Sequence, residues 1–172
     1  LPATNTFIPD RNYSATLVSA GSEFNTTDIL THIISDKNAH SFSHVGYQLY
    51  RYNPFKLSEI RGRFFEEMRL GSLRGAVNNA EPLMRNSTHF FVDMRSIRQA
   101  DFPDNSNQLP NGLYGEEMCQ LARYMGMGQR FVSLFLFGYL SKSKFSSTST
   151  QLTAEVLWHL VEAMAASISE DP

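Results

Sequence analysis

The sequence predicts an α/β protein of three layers, α/β/α, in which helices cover both faces of a mostly parallel sheet. Short apolar runs alternate along the chain with longer amphipathic segments, the pattern of strands joined by crossover helices. The run at 89–92 is continuous rather than alternating, as expected of a strand covered on both faces. A length of 172 residues fits one domain, 1–172, because single domains commonly contain about 100–200 residues.

The first half of the chain predicts two strands and two helices. The β-branched run at 15–18 lies between Ser and Gly residues and predicts the first strand. Capping side chains at 25–28 precede an apolar periodic segment and predict a helix. A second strand is expected around 44–47. An amphipathic helix is expected over 57–70, with Phe64 inward and Gly71 at its end.

The second half predicts the remaining elements. A short helix is expected within 76–84, a strand at 89–92, a loop rich in Pro, Asn and Gly at 101–112, and a helix at 116–124. The segment 131–137 is the most apolar run and predicts a central strand. A Ser/Thr/Lys loop at 141–150 then leads into a long helix at 152–168, with Trp158 and Leu160 among the expected core residues.

Composition excludes several classes of function. A net charge of −2 offers no basic face for nucleic acid or for an anionic membrane surface. No apolar run reaches the length of about 20 residues that a membrane span needs. The single cysteine, Cys119, excludes an internal disulfide framework and a cysteine-rich zinc site. A cytoplasmic location is the simplest interpretation.

Asp93 is the most informative polar residue, because it ends the buried strand at 89–92. Ligands of parallel sheets lie beyond the carboxyl ends of strands, and a carboxylate buried there needs a partner. Asp93 is therefore either a metal ligand or catalytic carboxylate, or a structural residue that forms an ion pair with Arg95 or Arg98 or caps the next segment. Two arginines so close to it disfavour a cationic metal, which makes the ion pair the stronger interpretation.

The other chemically capable side chains have ordinary structural interpretations. His40 and His44 lie in a predicted strand and need not converge, and Cys119 is expected to be a small buried apolar residue. The remaining candidates are acids at a helix start, glycines outside any strand-to-helix turn and solvated lysines: Glu116, Glu117, Gly126, Gly128, Lys142 and Lys144.

Four segments resemble the ureohydrolase family of arginase, agmatinase and formimidoylglutamase, most closely a divergent formimidoylglutamase-like branch from Bacteroidetes. They are 81–86, 92–101, 110–117 and 122–124. The resemblance implies an α/β/α hydrolase of guanidino or formimino groups, in which two Mn²⁺ ions activate a bridging water. It also implies that the metal ligands come from three loops, Gly-Gly-Asp-His, Asp-Ala-His-x-Asp and Asp-x-Asp-x-x-Asp.

The chain departs from this family pattern at every loop. The first loop is absent and is expected before Leu1. The second aligns with the former metal-site positions Ser19, Gly21 and Glu23, of which only Glu23 offers an oxygen ligand. The third keeps Asp93 but has arginines in place of its other two acids. The substrate-side Glu of the family aligns with Gly138.

Three functional hypotheses follow. The leading one is a ureohydrolase homologue with a degenerate binuclear metal site, a catalytically inactive structural, binding or regulatory protein without a cofactor, in which Asp93 pairs with Arg95. The first alternative is an active hydrolase of linear amidines that uses a Mn²⁺ pair, with Asp93 and Glu23 as surviving ligands and the others in an unseen N-terminal segment. The second is an anion-binding module that uses Arg95 and Arg98.

The length of the chain also departs from the family, whose members are about twice as long by resemblance. The domain is therefore expected to be the C-terminal portion of an arginase-like sheet, incomplete at its N-terminal side. Such a sheet would expose an edge strand, which proteins usually cover. Either a missing N-terminal half or a second copy in a homo-oligomer is expected to cover it.

Overall fold

The computed structural model describes residues 12–21, 24–105, 109–139 and 146–169. Within these ranges five strands form one parallel sheet in the order β3-β2-β1-β4-β5. The strands are β1 Tyr13–Val18, β2 Ala39–Tyr47, β3 Glu66–Arg69, β4 His89–Asp93 and β5 Ser133–Phe137. The helices are α1 Phe24–Ser35, α2 Pro54–Gly62, α3 Leu70–Gly75, α4 Glu81–Arg85, α5 Gly115–Gly126 and α6 Ser147–Ser169.

Helices pack on both faces of the sheet and give two cores. Phe90 and Val92 of β4 point into the core formed with α3, α4, α5 and α6. Phe91, between them, points into the other core, beneath α1 and α2. This alternation of side chains along a strand covered on both faces confirms the predicted α/β/α layers. None of the helices within the described ranges is long and apolar enough to span a membrane.

The register of the strands brings their carboxyl ends to one edge of the sheet. Val18 of β1 pairs with Val45 on one side and with Val92 on the other, and Asp93 pairs with Phe137 of β5. The segments that follow β1, β4 and β5 therefore start side by side. This is the edge at which parallel sheets place their ligands.

The helix predicted over 57–70 is wrong in its second half. The helix α2 ends at Gly62, and β3 occupies Glu66–Arg69. Phe64, expected inward, has a φ of 57° and is 94% exposed, so it lies in the turn between helix and strand. Gly71 belongs to α3 rather than to a helix end. The apolar spacing of this segment fits one helix, but it also fits a helix, a turn and a short strand.

In two further cases the predicted strand or helix is present, but its predicted place in the sheet or the predicted burial of its residues is wrong. The run 131–137 does form a strand, but in the sheet formed by the described residues β5 lies at the edge, and its five residues are only half-buried. Trp158, expected in the core, is 67% exposed on α6, whereas Leu160 is buried. Apolar character alone does not distinguish a central strand or core position from an apolar outer surface.

Candidate functional site at the carboxyl edge of the sheet

The Asp93 carboxylate forms a buried, bidentate ion pair with Arg95. Oδ1 accepts hydrogen bonds from the Arg95 backbone N–H at 3.0 Å and from Nε at 2.8 Å, and Oδ2 accepts one from Nη2 at 2.7 Å. The two side chains are only 5% and 11% exposed. Planar guanidinium–carboxylate pairs of this kind are among the stronger hydrogen-bonded contacts in proteins. The pair expected from the sequence is present.

Local backbone geometry fixes this pair. Asp93 is the last residue of β4 and caps a 3₁₀ turn over Met94–Ser96, so its carboxylate faces the Arg95 N–H. The Asn105 side-chain amide donates to the carbonyls of Arg95, at 2.9 Å, and Ile97, at 2.6 Å. Asn105 is 1% exposed. The loop that follows β4 is therefore held by buried hydrogen bonds as well as by charge.

Gly138, which the resemblance aligns with the substrate-side Glu of the family, lies against the same pair. It follows β5 with a φ of 87°. A Cβ atom at this position would overlap Asp93 Oδ1 and lie 3.0 Å from both Cγ and Nε of Arg95. The ion pair thus occupies the space into which a side chain at position 138 would project.

Arg98 binds a different carboxylate from Arg95. Its Nε lies 2.8 Å from Asp101 Oδ2, and its guanidinium lies 4.2 Å from the centre of the Tyr114 ring. Burial pushes the pKa of Asp101 upward, but hydrogen bonds from Arg98 and from the Gly115 N–H outweigh it and hold the pKa below its ordinary value. An anion that bound the Arg95 guanidinium would compete with Asp93 for it, and one that bound Arg98 Nε would compete with Asp101.

Ser19, which aligns by resemblance with the second family loop, begins a neutral hydrogen-bonded chain that continues through His44 to Tyr52. Ser19 is fully buried after β1, and its Oγ lies 2.7 Å from His44 Nε2. His44 Nδ1 lies 2.8 Å from the Tyr52 hydroxyl. The Ser19 hydroxyl donates to the Gly21 carbonyl at 3.4 Å, so it accepts from Nε2–H, and Nδ1 accepts from Tyr52.

Burial keeps this chain neutral. It lowers the pKa of His44 to about 3, and it raises the pKa of the Tyr52 hydroxyl. At Gly21 a Cβ atom would meet the Arg51 carbonyl oxygen at 2.5 Å. The backbone of the 3₁₀ turn Leu49–Arg51, which follows β2, therefore packs closely against Gly21. Glu23, the remaining possible oxygen ligand of this loop, lies outside the described residues.

The segment 112–117, which carries much of the family resemblance, has a structural role. The Tyr114 ring lies between the guanidinium groups of Arg98 and Arg74, the latter 4.3 Å from its centre. Glu117 accepts the Tyr114 N–H at 2.8 Å and lies 3.5 Å from Arg74 Nε, and Asp101 accepts the Gly115 N–H at 2.9 Å. These contacts fasten the start of α5 to the loop after β4.

The described residues at this edge do not fit a pair of divalent metal ions. Both Asp93 oxygens accept hydrogen bonds from Arg95, and the loop after β1 presents a serine hydroxyl and a glycine. Within the ranges that the structure describes, no group of three or more His, Cys, Asp or Glu side chains could hold a metal ion. Arg95 also places a positive charge at a position where, by the resemblance, ureohydrolases have an acid.

Sequence reasoning missed the residues that hold these loops in place. The Tyr52 hydroxyl contacts His44, the Asn105 amide contacts Ile97, and the Tyr114 ring contacts Arg98. The partners in each pair are separated by several positions or more in the sequence. The sequence signal for Asn105 was weak: it is one of several asparagines in the loop at 101–112. Register between strands was needed to bring Ser19 to His44.

Solved structures of known proteins share this fold. Formiminoglutamase from Trypanosoma cruzi with Mn²⁺ has a TM-score of 0.77 at 16% identity, and the alignment covers 90% of this chain and 55% of that one. Formimidoylglutamase from Bacillus subtilis has a TM-score of 0.77 at 14% identity, covering 90% and 54%. Agmatine ureohydrolase of Thermoplasma volcanium has a TM-score of 0.69 at 13% identity, covering 94% and 58%.

The fold is therefore arginase-like, with a parallel five-stranded sheet and flanking helices. The identities are too low to carry more than the fold, and the chain spans about half the length of these structures. No protein-family model matches the sequence, and no curated protein matches it.

Proposed function

We propose that this chain is a ureohydrolase homologue in which an internal ion pair has replaced the metal site, and that it acts as a structural, binding or regulatory protein. The observation that carries this proposal is the bidentate contact between Asp93 and Arg95, with Gly138 packed against it. The arginase-like fold supports the ureohydrolase assignment. Its narrower relation to formimidoylglutamases rests on the sequence segments within 81–124.

The physical argument is electrostatic. A pair of Mn²⁺ ions brings about four positive charges, and carboxylates must surround them. In this loop one carboxylate already accepts hydrogen bonds at both oxygens, and the next candidate position is a cation. A metal that bound Asp93 would have to displace Arg95, which would leave a guanidinium group buried without its carboxylate.

Metal analysis of the purified protein tests the proposal directly. After incubation with excess MnCl₂ and gel filtration, we expect much less than one Mn per chain, and no release of formamide or urea from formiminoglutamate, agmatine or arginine. A stoichiometry near two Mn per chain would overturn the proposal. The variant Arg95→Ala, which removes the guanidinium group from the Asp93 oxygens, serves as the comparison and reports whether the ion pair itself excludes the metal.

A Mn²⁺-dependent hydrolase of linear amidines is the competing function, because several of the similar structures contain Mn²⁺. It requires that Asp93 leave Arg95 and that Glu23 or residues beyond the described ranges complete the metal shell. Activity that appears with added Mn²⁺ and disappears in Asp93→Asn would establish it. Arg95→Ala should raise such activity, whereas the proposed function predicts no activity in either protein.

A further inference from the structure

The loop before α5 contains an asparagine that is followed by glycine. Asn111-Gly112 is the one such pair among the 172 residues of the chain. The Asn111 side chain is exposed, and none of the described residues forms a hydrogen bond with its amide. Because glycine has no Cβ, the Gly112 nitrogen can approach the side-chain carbon of Asn111 with little hindrance. This pair therefore has the local chemistry for attack on an asparagine side chain by its own backbone.

Hydrogen bonds to the main chain favour this attack. Gln48 Nε2 donates to the Asn111 carbonyl oxygen at 2.6 Å, and Arg74 Nη2 donates to the Gly112 carbonyl oxygen. The Gly112 N–H itself donates to no acceptor among the described residues. When this N–H loses its proton, the negative charge is shared with the Asn111 oxygen, to which Gln48 already donates. A donor aimed at developing charge lowers the cost of forming it, so the contact with Gln48 activates the attacking nitrogen.

Close packing requires glycine at position 112. A Cβ atom there would lie 2.5 Å from both the Arg98 backbone nitrogen and the Ser96 carbonyl oxygen. Both atoms belong to the backbone of the loop after β4, which the buried amide of Asn105 holds in place. The fold thus requires the residue that makes Asn111 reactive, and a larger side chain at position 112 cannot protect it.

We propose that Asn111 is a site of spontaneous deamidation, and that its isoaspartate product releases the segment 109–114 from the loop after β4. The Gly112 nitrogen gives its proton to hydroxide and attacks the Asn111 side-chain carbon. A new C–N bond closes a succinimide ring, and the bond to the amide nitrogen breaks, so that ammonia leaves with a proton from water and hydroxide is regenerated. Water then adds to either carbonyl carbon of the ring and opens it to aspartate or isoaspartate. The reaction needs only this chain and water, so it does not depend on the proposed function.

Isoaspartate lengthens the main chain by one methylene group and adds a carboxylate. The segment is tied to the loop after β4 at Leu113, whose N–H donates to the Ser96 carbonyl at 2.8 Å and whose carbonyl accepts the Arg98 N–H at 3.0 Å. Gln48 and Arg74 hold the two preceding carbonyls at the same time. A longer main chain cannot keep all of these contacts, so formation of isoaspartate should loosen the start of α5.

Peptide mapping of the aged protein tests the reaction. The tryptic peptide 99–123 contains both Asn111 and Asn105, and Asn105 is 1% exposed with its amide bonded to two carbonyls. After incubation of the folded protein in mildly alkaline buffer, Asn111 should deamidate at least about tenfold faster than Asn105, a barrier lower by about 1.4 kcal/mol. Isoaspartate should be among the products, and Asn111→Gln, whose side chain is one carbon longer, should stay intact. An Asn111 that stays intact in the folded protein, whether or not it deamidates in urea, would overturn the proposal.

Hydrogen exchange tests the structural consequence. Ion-exchange chromatography separates the isoaspartate form, in which the amides of Arg98 and Leu113 should exchange at least about tenfold faster than in the unmodified protein. The amide of Leu17 in β1 should stay protected, which shows that the protein remains folded. Asn111→Asp adds the same charge without a longer main chain and should keep the slow exchange. Unchanged exchange in the isoaspartate form, or equally fast exchange in Asn111→Asp, would overturn the release of the segment by a lengthened main chain.

Discussion

The loops after β4 and β1 bury polar groups at the same edge of the sheet but satisfy them with different chemistry. After β4, a carboxylate binds a guanidinium group, and both are charged and nearly inaccessible. After β1, Ser19, His44 and Tyr52 form a chain of neutral groups. Both loops correspond by resemblance to metal-binding loops. Under the proposed function, an internal cation takes the place of the metal after β4, whereas the described part of the loop after β1 presents neutral groups.

Because of this difference, the two loops should be sensitive to different perturbations. A buried ion pair costs much desolvation and tolerates the loss of one partner badly, because the remaining charge stays buried. A neutral chain loses less when one hydrogen bond is removed, but it cannot accept a proton without burying a charge. The β4 loop should therefore be sensitive to substitution, and the β1 loop to acid.

The largest expected effect comes from removal of Arg95. Arg95→Met keeps much of the side-chain volume but leaves the Asp93 carboxylate without its cation. We expect the free energy of unfolding to fall by about 3 kcal/mol, measured by urea denaturation with circular dichroism. Arg98→Met is the matched control, because its partner Asp101 is 21% exposed, and it should cost about 1 kcal/mol or less.

Equal losses in the two arginine variants would contradict the distinction between a buried pair and a surface pair. The double variant Asp93→Asn with Arg95→Met sharpens the measurement. It removes both charges and should recover part of the stability lost in Arg95→Met, since no buried charge remains. Failure to recover any stability would show that the pair holds the loop through shape rather than charge.

A smaller effect is expected from alanine at Gly138. Gly138 and Gly46 have φ values of 87° and 86°, so both variants carry the same backbone strain. At Gly46 the atoms nearest to the new Cβ belong to Leu113, at an ordinary contact distance of 3.6 Å or more, whereas at Gly138 the new Cβ would overlap Asp93 Oδ1. Gly138→Ala should therefore cost about 2 kcal/mol more than Gly46→Ala, measured in the same denaturation experiment. Similar losses would show that the ion pair moves aside freely.

Much of the fold could be predicted from the sequence, because strand β4 is a continuous apolar run and the longer helices have periodic apolar residues. The capping positions expected at 25–28 lie inside α1, which begins at Phe24. The position of β5 at an edge could not, since a strand that is apolar on both faces has the same composition in either place. The strand β3 was missed because four mixed residues, Glu66–Arg69, carry no period long enough to recognise. Tertiary contacts decide such short elements.

The candidate site also has one part that the sequence predicts and one part that it does not. The pairing of Asp93 with Arg95 could be predicted, because the partners are two residues apart at the end of a buried strand. The chain from Ser19 through His44 to Tyr52 could not, because it joins residues separated by 25 and 8 positions. Only the register of β1 against β2, which places the Ser19 N–H 3.1 Å from the Val45 carbonyl, brings them together.

The smallest expected effect is a dependence of stability on pH that arises from His44. Burial lowers its pKa from 6.5 to about 3 in the folded protein. Between these values the unfolded chain binds more protons than the folded one, so stability falls as the pH falls below about 6.5. The contribution of His44 approaches about 1.4 kcal/mol per pH unit. His44→Gln keeps a donor and an acceptor but cannot titrate.

The comparison of stability between pH 6.5 and 5.0 isolates this contribution. Burial also lowers the pKa of His89, so some loss should remain in His44→Gln, and the difference between the two proteins is the quantity of interest. His40→Gln alters an exposed histidine on the same strand and should keep the wild-type dependence. If His44→Gln also kept the wild-type dependence of stability on pH, the β1 loop would admit water or a proton in the folded state. The expected difference in acid sensitivity between the two loops would then be contradicted.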